Sequence, residues 1–104
     1  MVHEAVDMAQ PNVVYMGGFT EGAKVAAMAQ TFNLPIANGG GWPHLNGHLQ
    51  ARMDNGTQVE FLLLMWLTSN QIFIDPPQPE NGTYTLPDTP GLRLEPNEDV
   101  LRDC

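Results

Sequence analysis

The run VDMAQPNVVYMGGFTEGAKVAAMAQTFNLPIAN, Val6 to Asn38, decides how this chain folds. Just ahead of it and into it, EAVDMAQ (Glu4–Gln10) sets Ala5, Val6, Met8 and Ala9 around the charge of Asp7. A mostly apolar strand of that kind suits a parallel sheet covered by helices. Pro11-Asn12 turns the chain and Gly17-Gly18 ends the segment. Thr20 is placed to cap the helix that follows, with Glu21 in its first turn. Across Glu21–Phe32, the spacing of Val25, Met28, Ala29 and Phe32 predicts one apolar helix face. Asn33 suits a left-handed stop, and Leu34-Pro35 leads into a second strand, Pro35–Asn38.

The same alternation continues. NGGGWP (Asn38–Pro43) reads as a flexible loop, and Pro43 fits the first turn of a second helix, HLNGHLQARM, closed by Asp54-Asn55-Gly56. TQVEF, Thr57–Phe61, is a third strand candidate. The order β-α-β-α-β with short connections predicts an α/β class with about three parallel strands, two intervening helices and right-handed crossovers. From Thr68 onward prolines interrupt every long element, Asn81-Gly82 marks a turn, TYTL offers a short strand, and Asn97 can cap a last turn, EDVLRD.

The bulk numbers narrow the function classes. A length of 104 residues suits one domain, and of the nine prolines those from Pro76 to Pro96 predict a loop-rich second half. The net charge of −8, with Lys24, Arg52, Arg93 and Arg102 as the only cations, argues against a nucleic-acid surface. FLLLMWL, Phe61–Leu67, is too short to span a bilayer, which takes about 20 helical residues, so it is core or a surface awaiting a partner. A single cysteine, Cys104, excludes an internal disulfide or cysteine zinc site and, with no secretory signal in the first 20 residues, predicts a cytoplasmic protein.

QPNVVYMGGFTEGAKVAAMAQTFNLPIA, then a helix, then NGTQVEF, then GTYTLPDTPGL, together resemble the C-terminal part of enolase-superfamily enzymes, closest to the mandelate racemase and muconate lactonizing enzyme group with its acid-sugar dehydratases. The resemblance implies a TIM-type (β/α) barrel, with residues 1–73 supplying its sixth to eighth strands and residues 74–104 a tail returning towards a capping domain. It implies proton abstraction α to a carboxylate of a small acid or acid sugar, with Mg²⁺ held by carboxylates on strands that this sequence does not contain. The expectation is a chain inactive alone, joined either to a missing N-terminal part or to further copies. The alternative is a small non-catalytic α/β module for binding or oligomerisation.

Site residues follow from the same resemblance. Asn12 matches a sixth-strand position that usually carries aspartate, and Asn38 a seventh-strand position that usually carries the histidine base. An amide accepts no proton near neutral pH, so both would only hold substrate, or else simply close loops. Glu60 matches the eighth-strand glutamate that hydrogen-bonds the substrate carboxylate. Flanked by apolar residues, it is expected in a desolvated setting that suits donation. Trp42 would pack on the substrate or on a partner chain. His44 and His48, at i and i+4, lack the glutamate of a zinc-protease motif, so no metal is assigned to them. His44 could point into the site in place of the missing base.

Overall fold

The computed structural model describes residues 1–103; the cysteine expectation falls on Cys104, outside the described residues. Four helices, α1 (Phe19–Thr31), α2 (Pro43–Arg52), α3 (Leu63–Ile72) and α4 (Glu98–Asp103), are joined by a two-residue antiparallel pair, β1 (Phe73–Ile74) and β2 (Glu95–Pro96).

The three expected strands stand side by side and parallel, yet each contributes only one bridging residue: Ala9 pairs with Ile36, and Ile36 with Gly56. The ladder nevertheless runs through several residues. Ala9 N–H donates to the Pro35 carbonyl and Ala37 N–H to that of Ala9, both at 3.1 Å. On the other side Ile36 N–H reaches the Asn55 carbonyl at 2.8 Å and Thr57 N–H the Ile36 carbonyl at 3.0 Å. We call these segments one (8–13), two (35–38) and three (56–60). Segment two is central and buried from Ile36 to Asn38, whereas segments one and three each leave one edge without a partner strand among the described residues. The apolar start expected of segment one is not buried, since residues 2–7 are exposed.

The core is small. Ile36, Ala26 and Ala29 form its centre, with Ala9, Leu34 and Met53 packed around them. The buried face of α1 is therefore Gly22, Ala26 and Ala29, while Met28 and Phe32 of the expected stripe are exposed. Small residues win here because α1 lies close against α2: a Cβ on Gly22 would stand 2.9 Å from Leu49 Cδ2. The helix begins at Gly18 (φ 104°, ψ −169°), a conformation open in practice only to glycine, and Thr20 sits inside the first turn rather than capping it. Asn33 is left-handed (φ 56°), Pro43 opens α2, and Asn97 Oδ1 accepts from Val100 N–H at 3.4 Å, each in the position expected.

FLLLMWL does not add a strand or close a core. It turns into α3, whose N-terminal half leaves Leu63, Leu64 and Leu67 exposed. TYTL pairs only at Thr83, which closes the Asn81-Gly82 turn with Glu80. Among the described residues, no helix is long and apolar enough to cross a membrane.

Gly56 marks where the end of α2 meets segment three: an added Cβ would collide with the Gln50 carbonyl oxygen, and backbone cannot swing aside as a side chain can. Gly56→Ala is expected to lower unfolding free energy in urea by about 3 kcal/mol or more, and Gly22→Ala by about 1 kcal/mol, because Leu49 can re-rotamer. Equal losses would contradict this packing.

Candidate active site

Segments one, two and three end around a single loop, Gly39–Gly41. Gly40 (φ 85°), Gly41 (φ 75°) and Trp42 (φ 56°) are successive left-handed residues, which curls their backbone N–H groups to one side. Consecutive amides turned in this way form a concavity suited to an anion. The anion present is the side chain of Glu60: its Oε2 accepts from Gly40 N–H at 2.6 Å and from Gly41 N–H at 3.0 Å. Glu60 is exposed, so the desolvated setting expected for it is not found. Its tie is to backbone dipoles instead.

The loop is held from behind by three buried asparagines. Asn12, Asn38 and Asn46 are 6%, 2% and 0% exposed. Their Nδ2 groups converge on the Gly41 carbonyl at 3.2, 2.7 and 3.2 Å. Asn12 Nδ2 also donates to the Gly39 carbonyl at 2.7 Å, and its Oδ1 accepts from Val14 N–H at 3.0 Å and from Asn46 Nδ2 at 3.1 Å. Asn38 Oδ1 accepts from Glu60 N–H at 2.7 Å. Asn46 Oδ1 accepts from Val13 N–H at 2.9 Å, while its Nδ2 reaches the Trp42 carbonyl at 3.0 Å.

This wiring explains the residue type. Every partner of Asn12 and Asn38 demands both a donor and an acceptor on one short side chain, which an amide supplies and a carboxylate does not. An aspartate at position 12 would aim lone pairs at two backbone carbonyls in a buried place. The structure thus brings Asn12, Asn38 and Glu60 together, and adds Asn46 from within α2.

Trp42 lies at the rim, its Nε1–H donating to the Tyr15 hydroxyl at 3.2 Å. His44 is not among these contacts. Its ring sits against Phe61 and Tyr84, with Nδ1 3.2 Å from the Tyr84 hydroxyl. Burial lowers its pKa from the usual 6.5. Among the described residues no group of three or more His, Cys, Asp or Glu side chains is clustered as a metal site needs, and the one carboxylate at the loop is already engaged by two amides. The described residues do not fit a Mg²⁺ site of their own.

A family model described as enolase C-terminal domain-like matches residues 1–100. The chain belongs to that family. Among the curated members of the enolase C-terminal domain-like family, L-rhamnonate dehydratase of Saccharopolyspora erythraea is 29% identical over 92% of this chain and 26% of its own length. D-galactarolactone cycloisomerase of Agrobacterium fabrum is 28% identical over 95% of this chain and 29% of its length. In the solved structure of L-talarate dehydratase from Polaromonas sp. JS666, complexed with Mg and L-glucarate, 27% of that chain superposes on 97% of this one with a TM-score of 0.82 at 28% identity. The chain therefore spans about a quarter of the length of the family members it matches.

Asn12→Asp is expected to destabilise the chain at pH 7 by about 2–3 kcal/mol, from lost donors and a buried charge facing carbonyls. Those carbonyls favour the protonated acid in the folded state. The deficit relative to the wild type should therefore shrink as pH falls towards 4, which paired urea titrations at the two pH values would read. A deficit that is absent, or that grows in acid, would contradict the donor roles assigned to Asn12.

Proposed function

We propose that this chain forms one side of the active site of an acid-sugar dehydratase-like enzyme, in which segments one, two and three are the sixth, seventh and eighth strands of a (β/α) barrel. On this reading residues 1–73 are the barrel arc and residues 74–104 the tail that returns towards a capping domain. The unpartnered edges of segments one and three, and the exposed leucines of α3, are where the remaining barrel would join. The relatives named above support the reaction class, and their greater length supports the joining of further structure.

The observation that carries the proposal is the Glu60 carboxylate seated on the Gly40 and Gly41 amides at the common end of three parallel segments. Functional groups of such barrels gather at the C-terminal ends of the strands. In this reading Glu60 is the one proton-bearing group contributed by the arc. Its Oε2 accepts from the two loop amides, which leaves Oε1 to carry a proton and donate it to a substrate carboxylate while the side chain stays seated. Asn12 and Asn38 carry no proton to exchange, so they keep the loop in place beside the substrate, and Trp42 borders it. The base that removes the α-proton, and the Mg²⁺ carboxylates, belong to strands outside this chain. The ring of His44 is left out of the chemistry.

The chain alone is expected to give no turnover of acid sugars with Mg²⁺. Grafted in place of the matching C-terminal quarter of the Polaromonas L-talarate dehydratase, it is expected to restore measurable dehydration. Glu60→Gln should then cut kcat by about 10²-fold or more, the usual range for a lost general acid. A folded graft whose kcat is unchanged by Glu60→Gln would refute the role given to Glu60.

A further inference from the structure

The two histidines of α2 lie one turn apart on one helix face, and the active-site reading uses neither. Both reach the segment after Gly82. His44 Nδ1 meets the Tyr84 hydroxyl at 3.2 Å, and His48 Nε2 meets the Leu92 carbonyl at 3.3 Å. The His44 ring stands edge-on to Phe61 with centroids 6.0 Å apart and lies 5.7 Å from Tyr84, while Phe61 and Tyr84 are 5.3 Å apart. Tyr84 enters this aromatic box because residue 47 is glycine. A Cβ there would stand 2.9 Å from Tyr84 Cε1 and 3.3 Å from Leu86 Cδ2.

His44 is 2% exposed, and its Nε2 is buried without a hydrogen-bond partner. Protonating the ring leaves N–H groups on both nitrogens and a full charge, with no acceptor for the one at Nε2. Phe61, just past segment three, faces the ring, while Glu60 beside it is turned to the glycine loop. The strap presents Tyr84, whose hydroxyl burial keeps neutral beyond its usual range. On α2 itself His48 is turned to Leu92. None of these contacts brings a carboxylate to His44 to compensate the charge.

We propose that His44 is a pH-sensitive clasp for the strap Asn81–Leu92, holding Tyr84 in the box when neutral and expelling it when protonated. The His48 contact to the Leu92 carbonyl does not involve Tyr84, so the strap stays tethered at Leu92 while Tyr84 leaves. Residues Gly82–Tyr84 and Leu86 form one wall of a groove of about 840 Å³, whose other wall is α2 and segment three. Release of Tyr84 opens that groove.

The direction follows from burial, which lowers the His44 pKa from 6.5 in the docked state. Docking is at full strength above the undocked value and weakens as pH falls towards the docked one, by up to about tenfold per pH unit across that window. An NMR titration of the full chain from pH 8 to 5 reads both partners. The Tyr84 ring signals are expected to move to solvent-exposed positions with the same midpoint as the His44 ring, below 6.5. His44→Gln, which keeps a partner for the hydroxyl and cannot be charged, should leave Tyr84 docked throughout. Gly47→Ala should undock Tyr84 already at pH 8 and raise the His44 midpoint. The proposal is overturned if Tyr84 stays docked while His44 titrates, or if His44 titrates alike in the wild type and Gly47→Ala. The wild-type titration and the Gly47→Ala comparison decide the matter even if His44→Gln fails to fold. None of these readings depends on turnover, so they stand or fall separately from the dehydratase proposal.

Discussion

The Gly41 carbonyl is the point on which three parts of this chain converge. Asn12 at the end of segment one, Asn38 at the end of segment two and Asn46 inside α2 all donate to it. The backbone between them would otherwise carry orphan polar groups in a buried place, at about 1–3 kcal/mol each. Satisfying them fixes the left-handed course of Gly40, Gly41 and Trp42, which in turn aims two amides at Glu60. The position of the carboxylate is thus a consequence of the amide net behind it. Three segments joined by two single bridges and a core centred on Ile36, Ala26 and Ala29 offer little other rigidity at that end.

Much of the frame was legible in the residues. Pro43, Asn33 and Asn97 mark ends whose backbone chemistry is local, so single residues sufficed to place them. The order and parallel sense of the three segments followed from short connections. Their length did not, because pairing beyond one bridge depends on neighbours that the residues do not name. The stripe read on α1 leaned on large apolar residues, whereas close approach to Leu49 of α2 selects Gly22, and Ala26 and Ala29 pack on Ile36. FLLLMWL has no helical period to betray α3. The β1–β2 pair joins Phe73 to Pro96 across the whole tail, a register set by tertiary fit alone.

The site was legible in part and for a stated reason. Asn12, Asn38 and Glu60 stood out as departures from, or matches to, a resembled pattern, and the structure gathers them at one loop. Their partners were hidden. Asn46 is a helix-interior asparagine, a type that reads as solvent-facing, and its role depends on residues more than thirty positions away. The same holds for His44: its sequence spacing suggests a pair with His48, while its actual companions are Phe61 and Tyr84. Long-range polar contacts leave no periodic mark.

Native-state hydrogen exchange of the Val13 and Glu60 amides, in the wild type and in Asn46→Ala, tests the net most directly, since each amide donates to a buried asparagine oxygen. The account expects both to be protected in the wild type. In Asn46→Ala, Val13 should lose its protection outright, and the Gly40 and Gly41 amide resonances should shift together as their hold on Glu60 slackens. Val13 and Glu60 exchanging at free-loop rates in the wild type, or Gly40 and Gly41 unmoved in the variant, would contradict it.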